Sequence, residues 1–261
     1  MNIKIIVAAH KKYQMPEDSI YLPLHVGAEG KEDIGFTKDN TGDNISSKNP
    51  FYCELTGLYW AWKNLDTEYT GLVHYRRYFS TKKHPGKTEK ERFASVLTRK
   101  EAEELLEKTD LILPKKRNYL IETVYKHYAH TMYAETLDEA GKIIAEDCPE
   151  YTKAFENLKK TRKMHAFNMM IMKKELLNQY CSWLFPILDK LVQRLPPEKY
   201  TAFHARYPGR VSERLFDVWI NTNKIKYIEV KAIDMQKVNW LKKGFAFLKA
   251  KFTGKKYQAS F

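Results

Sequence analysis

Tyr69-Thr70-Gly71-Leu72-Val73-His74-Tyr75-Arg76-Arg77-Tyr78-Phe79 is the stretch on which the reading of this chain turns. Tyr69–His74 is a short apolar run that stops at a cluster of charge, the pattern of a buried strand opening into a polar loop at its carboxyl end. Upstream, Lys4–Ala9 (KIIVAA) has the same form and closes on His10-Lys11-Lys12, so it reads as the first strand of a parallel sheet. Between them, Asn49-Pro50 supplies an N-cap and a first-turn proline, and Tyr52, Leu55, Tyr59 and Trp62 recur at 3/4 spacing. That periodicity predicts a helix over about 50–65. Residues 13–48 are rich in Gly, Asp, Asn and Pro without a sustained period and read as long loops.

The same alternation continues downstream. A Lys-rich loop over 81–92 leads to a helix near 99–108, and Asp110–Leu113 reads as a strand ending at Pro114-Lys115-Lys116-Arg117. Helices are expected near 121–129 and 136–158, a strand at His165–Met172, and an amphipathic helix at 173–193. After a loop over 195–210 come a helix at Val211–Thr222 and a strand at Lys226–Val230. Short apolar strands alternating with helices predict an α/β fold with a mainly parallel sheet flanked by helices. Ligands of open α/β sheets bind beyond the strand carboxyl ends. That rule selects His10, His74–Arg77, Pro114–Arg117 and Asn168.

The chain has 261 residues, 43% hydrophobic and 30% charged, which suits one large packed domain over 1–230 and excludes disorder throughout. No run approaches the roughly 18 apolar residues of a spanning helix. Residues 1–10 lack a charged n-region and a small-residue cleavage site, so a cytoplasmic location is expected. Cys53, Cys148 and Cys181 are odd in number and without a CxxC, which argues against disulfides and a zinc site. Of the net charge of +13, seven lysines lie between Lys237 and Phe261 with no Asp or Glu among them.

Three constellations carry chemistry, each beside a plainer reading. His74-Tyr75-Arg76-Arg77 offers an imidazole and two fork-shaped guanidiniums matched to phosphate oxygens and to a departing diphosphate; the plainer reading is a solvated loop with one Arg paired locally. Asp43-Asn44 could bond a base or sugar, or be turn chemistry. Glu213, in Ser212-Glu213-Arg214-Leu215, falls in the first turn of the expected 211–222 helix. A carboxylate there suits a general base taking a proton from an acceptor hydroxyl, or simply stabilises the helix end. Glu54 and Glu122 read as surface or supporting groups. The absence of GxxxxGK[ST], GxGxxG, HExxH and GxSxG removes support for P-loop, dinucleotide-binding, zincin and hydrolase readings.

These segments together resemble a bacterial glycosyltransferase family, DUF4422, found in capsule, exopolysaccharide and lipopolysaccharide gene clusters. The resemblance rests on Ile5–Lys11, Asp43–Ser46, Tyr52–Thr56, Tyr59–Asn64, Gly71–Phe79, Asp110–Pro114, Phe167–Met172 and Ser212–Leu215, and covers about 3–230. It implies a GT-A-like (Rossmann-like) fold, a nucleotide-sugar donor, and transfer to a hydroxyl of a growing or lipid-linked glycan. UDP-galactofuranose becomes a candidate donor, because some relatives are assigned to galactofuranose transfer. By the same resemblance Ala8, His10, Asp43, Asn44, His74, Tyr75 and Asn168 become nucleotide or donor contacts, Arg76 and Arg77 diphosphate groups, and Glu213 the base of an inverting displacement. Many GT-A enzymes hold Mn²⁺ or Mg²⁺ with an Asp-x-Asp, but the corresponding strand end here reads His74-Tyr75-Arg76, so no metal ligand is assigned.

The tail over 231–261 has its own pattern. Val238, Leu241, Phe245, Leu248 and Phe252 fall at spacings of 3, 4, 3 and 4, which predicts an amphipathic basic helix. An aromatic-rich stripe with Lys-only charge fits an anionic membrane surface, placing the protein on the inner face of the cell membrane; the plainer reading is a stripe packed on the core. Two other functions compete: a basic nucleic-acid-binding protein, against which no nucleic-acid module is present, and a nucleotidyl enzyme, against which no Gly-rich pyrophosphorylase loop is present.

Overall fold

In a computed structural model that describes residues 1–236, the chain forms β1 (Ile3–Ala9), β2 (Tyr21–His25), β3 (Thr37–Lys38), α1 (Asn49–Tyr52), α2 (Leu55–Asn64), β4 (Tyr69–His74), β5 (Arg77–Ser80), α3 (Glu89–Phe93) and α4 (Arg99–Leu106). There follow β6 (Leu111–Pro114), β7 (Arg117–Asn118), α5 (Val124–Thr131), α6 (Ala134–Asp147), α7 (Thr152–Lys160), β8 (Lys163–Met164), β9 (Met170–Lys173), α8 (Lys174–Arg194), α9 (Tyr207–Thr222) and β10 (Ile228–Asp234). Of the tail expected over 231–261, residues 231–234 complete β10, and the amphipathic stretch from Lys237 lies outside the described residues. The described chain falls into two compact units, one of residues 1–115, 166–182 and 225–236, the other of 116–165 and 183–224.

The first unit is built on an eight-stranded sheet in the order β3-β2-β1-β4-β5-β10-β6-β9, with β4 also pairing β9. The β1–β2, β1–β4, β2–β3 and β6–β10 pairs are parallel; β4–β5, β5–β10, β4–β9 and β6–β9 are antiparallel. The expectation of a mainly parallel sheet is thus corrected to a mixed one. The reason is local: only Tyr75-Arg76 separates β4 from β5, and a parallel neighbour needs a crossover of about a dozen residues or more. Because β4 pairs β9 as well as β5, the strands β4, β5, β10, β6 and β9 close into a five-membered ring. Gly71 permits the closure. A Cβ there would lie 2.9 Å from Ile5 Cγ1 on β1 and 3.1 Å from Ile171 Cγ1 on β9.

Ile5, Ile6 and Val7 of β1 are wholly buried, as an unbroken β-branched run demands. The region read as loops also contains β2 and β3; Pro23 inside Tyr21–His25 lacks an N–H and blunted the strand signal there.

The second unit is mainly helical. The helix expected at 136–158 is two helices, α6 and α7, because Cys148 adopts φ −149° and ψ 64° before Pro149, as a residue preceding proline is driven to do. The strand expected at 165–172 shrinks to β9 at 170–173, with the short β8 before it. Helix α9 begins at Tyr207 rather than 211, because Pro208 is accommodated in its first turn. Glu213 therefore lies in the second turn, and the first-turn dipole argument no longer applies to it.

Candidate functional site

The carboxyl ends of β1 and β4 lie side by side, with Ala8 in register with His74. The Tyr75 amide donates to the Ala8 carbonyl (3.2 Å), which ties the start of the His74–Arg77 turn to the end of β1. Tyr75 is buried at the centre of a cationic and aromatic group. The His10 ring meets its edge with centroids 5.2 Å apart and Tyr13 does so at 5.3 Å. Lys11 Nζ lies 5.8 Å and the Arg76 guanidinium 5.0 Å from its ring centre. His10 and Arg76 are exposed, whereas Ala8 is buried. His25, at the carboxyl end of β2 and in register with Ala9, is buried with its Nδ1 unpartnered, and burial followed by the charge of Lys31 lowers its pKa.

His74 and Arg77 are both tied to the segment that enters β9. His74 Nε2–H donates to the Phe167 carbonyl at 2.7 Å, which fixes the tautomer. Arg77 stacks on the Phe167 ring at 3.7 Å, donates its Nε–H to Asp234 Oδ1 at 2.8 Å, and has a terminal nitrogen ion-paired with the same oxygen at 2.5 Å. Phe167 and Asn168 have φ of +79° and +52°. A bulky residue such as Phe167 rarely occupies the left-handed region, and strain of order 1–3 kcal/mol persists only where its surroundings impose it. Buried Asn168 donates to Glu54 Oε1 at 2.8 Å, and Glu54 follows Cys53, another left-handed residue at φ +54°. Glu54, read from the sequence as a surface or supporting group, is half-buried and makes this contact to Asn168. Among the described residues, backbone strain in this unit gathers at this one junction of non-glycine residues.

Asp43 and Asn44 are not brought to this turn. Tyr59 Oη–H donates to Asp43 Oδ1 at 3.1 Å, and Asn64, the last residue of α2, accepts from the Asp43 amide at 3.2 Å. That end of α2 leads into the start of β4, the opposite edge of the sheet from His74. Asn44 Oδ1 accepts from the Ser46 amide two residues on, a side-chain turn. Sequence reading missed Asp39, fully buried and accepting from the Gly27 and Ala28 amides and the Ser46 and Thr56 hydroxyls, which fastens the end of β2 to α2. It also missed Phe167, Lys11, Tyr13 and Asp234. Nothing local marks Asp234, which is 157 residues from Arg77.

In the second unit, Glu213 is buried on α9 with both oxygens engaged, Oε1 by Arg210 at 3.3 Å and Oε2 by Arg214 at 3.2 Å. Arg214 also donates to the Arg210 carbonyl at 2.8 Å and lies 5.0 Å from the Tyr128 ring centre. One turn on, Asp217 accepts from the His165 amide at 2.8 Å and faces its Nδ1 at 2.6 Å, a buried clamp of the chain after β8 onto α9. Glu122 is buried beside His130 (2.9 Å) and His127 (3.6 Å). Burial first, then the charges of Arg214, Arg117, His130 and Arg210, pull His127 down to about 3 despite that carboxylate.

Strand-end residues that are cationic and aromatic, with no carboxylate pair among them, do not fit a divalent cation. Among the described residues no group of three or more His, Cys, Asp or Glu is placed to hold one, and no helix is long and apolar enough to cross a membrane.

A mixed α/β sheet with a cationic turn at its strand ends and strained backbone beside that turn defines the class, and the chain belongs to the family described as Domain of unknown function (DUF4422), which it matches over residues 4–224. It is also similar to a solved structure, the apo form of the WbbM bifunctional glycosyltransferase, at 31% identity and a TM-score of 0.83 over 91% of this chain. The chain spans 46% of the length of that structure. No curated protein matches it.

Proposed function

We propose that the protein is a glycosyltransferase that takes a nucleotide-sugar donor, UDP-linked, at the carboxyl ends of β1 and β4. The observation that carries this is the His10–Tyr75–Arg76 group at that edge, in a chain similar over 91% of its length to a glycosyltransferase. In this reading the sheet is a GT-A-like variant with an antiparallel ring appended to its parallel half. Exposed Arg76 balances the charge of the departing diphosphate, with His10 beside it as a further hydrogen-bonding group. His74 and Arg77, held by Phe167 and Asp234, fix the turn that carries Arg76. Asn168 and Glu54 set the strained backbone beside it.

The reaction proposed is a single inverting displacement. The acceptor hydroxyl attacks the anomeric carbon, the bond to the nucleoside diphosphate breaks, and the hydroxyl proton passes to a carboxylate base, for which Glu213 is the candidate that the family resemblance names. Arg210, with its side chain 35% exposed, is the partner able to release Glu213 Oε1 for that proton. The donor sugar is a hexose, with galactofuranose the first candidate, and the acceptor a lipid-linked or growing bacterial surface polysaccharide. The protein would work in the cytoplasm, peripheral to the inner face of the membrane, with the basic tail as its contact and no nucleic acid as partner. No step is routed through Mn²⁺ or Mg²⁺.

Calorimetry with UDP, GDP and CMP, with and without Mn²⁺, tests the donor site. Binding of a uridine nucleotide alone is expected, and its loss in Arg76→Ala would locate it. Absence of binding by any nucleotide at millimolar concentration would refute the proposal. Transfer from UDP-galactofuranose against UDP-galactopyranose then tests the sugar.

A further inference from the structure

We infer that the second unit carries a membrane-docking ribbon of its own, in which the β7–β8 pair and the loop after β7 present Leu120 and Ile121, among cations, to an anionic bilayer surface. This does not rest on the glycosyl-transfer reading and is separate from the tail. Leu120 and Ile121 are 70% and 62% exposed, the most exposed large hydrophobic residues among those described. Their exposure is built into the backbone. Leu120 sits at φ +56°, a conformation leucine rarely adopts. The turn is pinned on both sides: the Leu120 amide donates to Asn118 Oδ1 at 3.0 Å, and Arg162 donates to the Leu120 carbonyl at 3.2 Å. The Tyr119 amide in turn donates to the Arg162 carbonyl at 2.8 Å. An aliphatic pair on a loop held this way is presented outward by the fold.

The charge around the pair has one sign. Strand pairing sets Arg117 beside Met164 and Asn118 beside Lys163, and Arg162 bonds the Leu120 carbonyl, so Arg117, Arg162 and Lys163 line the ribbon that carries the tip. Residues 115–121 and 160–164 contain no Asp or Glu. The next carboxylate, Glu122, is turned inward, buried against His130. Two aliphatic side chains are far too small for a stable protein–protein interface, which buries about 800 Å² per partner. They suit a bilayer, where shallow insertion adds to electrostatic attraction and each nearby cation contributes about fivefold in partition.

Flotation of the full chain with phosphatidylcholine vesicles, with and without phosphatidylglycerol, at low and high salt, tests this. R117Q/R162Q/K163Q should lose on the order of 10²-fold in partition to the anionic vesicles. L120S/I121S should lose about tenfold or more, and its remaining binding should vanish at high salt. Leu120→Gly guards against misfolding, since glycine accepts φ +56° without strain; it should keep the wild-type melting temperature and still bind less. Wild-type partition by all three variants, with loss only in a full chain carrying K242Q/K243Q/K249Q/K251Q, would overturn the inference. A dimer in sedimentation velocity that L120S/I121S abolishes would also overturn it, by assigning the pair to self-association.

Discussion

The strand-end turn of the first unit and helix α9 of the second use the same three groups, two guanidiniums and one carboxylate, in opposite ways. On α9, Arg210, Glu213 and Arg214 are spaced so that forming the helix assembles the cluster, and Glu213 and Arg214 have side chains only 7% and 5% exposed. At the turn, Arg77 is paired to Asp234 from the far end of the described chain, while its neighbour Arg76 is exposed and lies against the Tyr75 ring. One guanidinium in each cluster is fixed and the other is accessible. The fixed one holds geometry; at the turn, exposed Arg76 is open to a ligand. Adjacent arginines of identical chemistry are thereby given different work.

The largest effect is expected from Glu213→Gln, which keeps the shape but cannot accept the proton. Transfer should fall by ~10²–10⁴-fold while nucleotide binding persists, as single-turnover assays and calorimetry would read together. Wild-type turnover would reduce the α9 cluster to a structural one. Next comes the separation of the two turn arginines. Arg76→Ala should cost ~10²-fold or more in turnover with an unchanged melting temperature, as expected for an exposed group opposite developing charge. Arg77→Ala should lower the unfolding free energy by about 1–2 kcal/mol, since Asp234 loses a donor and its ion-pair partner and Phe167 a stacked partner. Equal behaviour of the two variants in both assays would break the comparison.

A smaller effect is expected from pH. His127 titrates near 3 in the folded protein against 6.5 unfolded, so below 6.5 the unfolded chain binds the extra proton. Stability is complete above 6.5 and is lost as pH falls toward 3, by at most about 1.4 kcal/mol per pH unit from this residue. His127→Gln should flatten urea-denaturation stability between pH 6.5 and 4.5; an undiminished slope would assign the acid sensitivity elsewhere, with buried His25 the next candidate. The smallest effect is none at all: chelation should leave transfer unchanged if Arg76 supplies the charge. A chelator-sensitive rate restored by Mn²⁺ would give that task to a metal.

How much could be read without the fold differs between the two regions for the same reason. Strands β1, β4 and β6, helices α2, α4 and α8, and the charged strand ends at His10 and His74 were legible because apolar periodicity and caps are local. So was the turn chemistry of Asn44. Helix ends were misjudged where proline was involved, at Pro149 and Pro208, because proline either breaks a helix or opens one, and which it does depends on its neighbours' packing.

What the sequence determined by itself is the α/β alternation, the family-like motif order and the placing of His74-Tyr75-Arg76-Arg77 at the end of a buried strand. All of these follow from the hydrophobic pattern of a few consecutive residues. Tertiary structure alone decided that the sheet is mixed and closes a ring through Gly71, that Arg77 belongs to Asp234, that Phe167 and Asn168 are strained against His74 and Glu54, and that Asp43 lies at the other edge of the sheet. Each depends on a pairing between segments distant in the chain. Such pairings are fixed by which registers bury the most apolar surface while satisfying every backbone donor, a property of the assembled sheet that no single stretch contains.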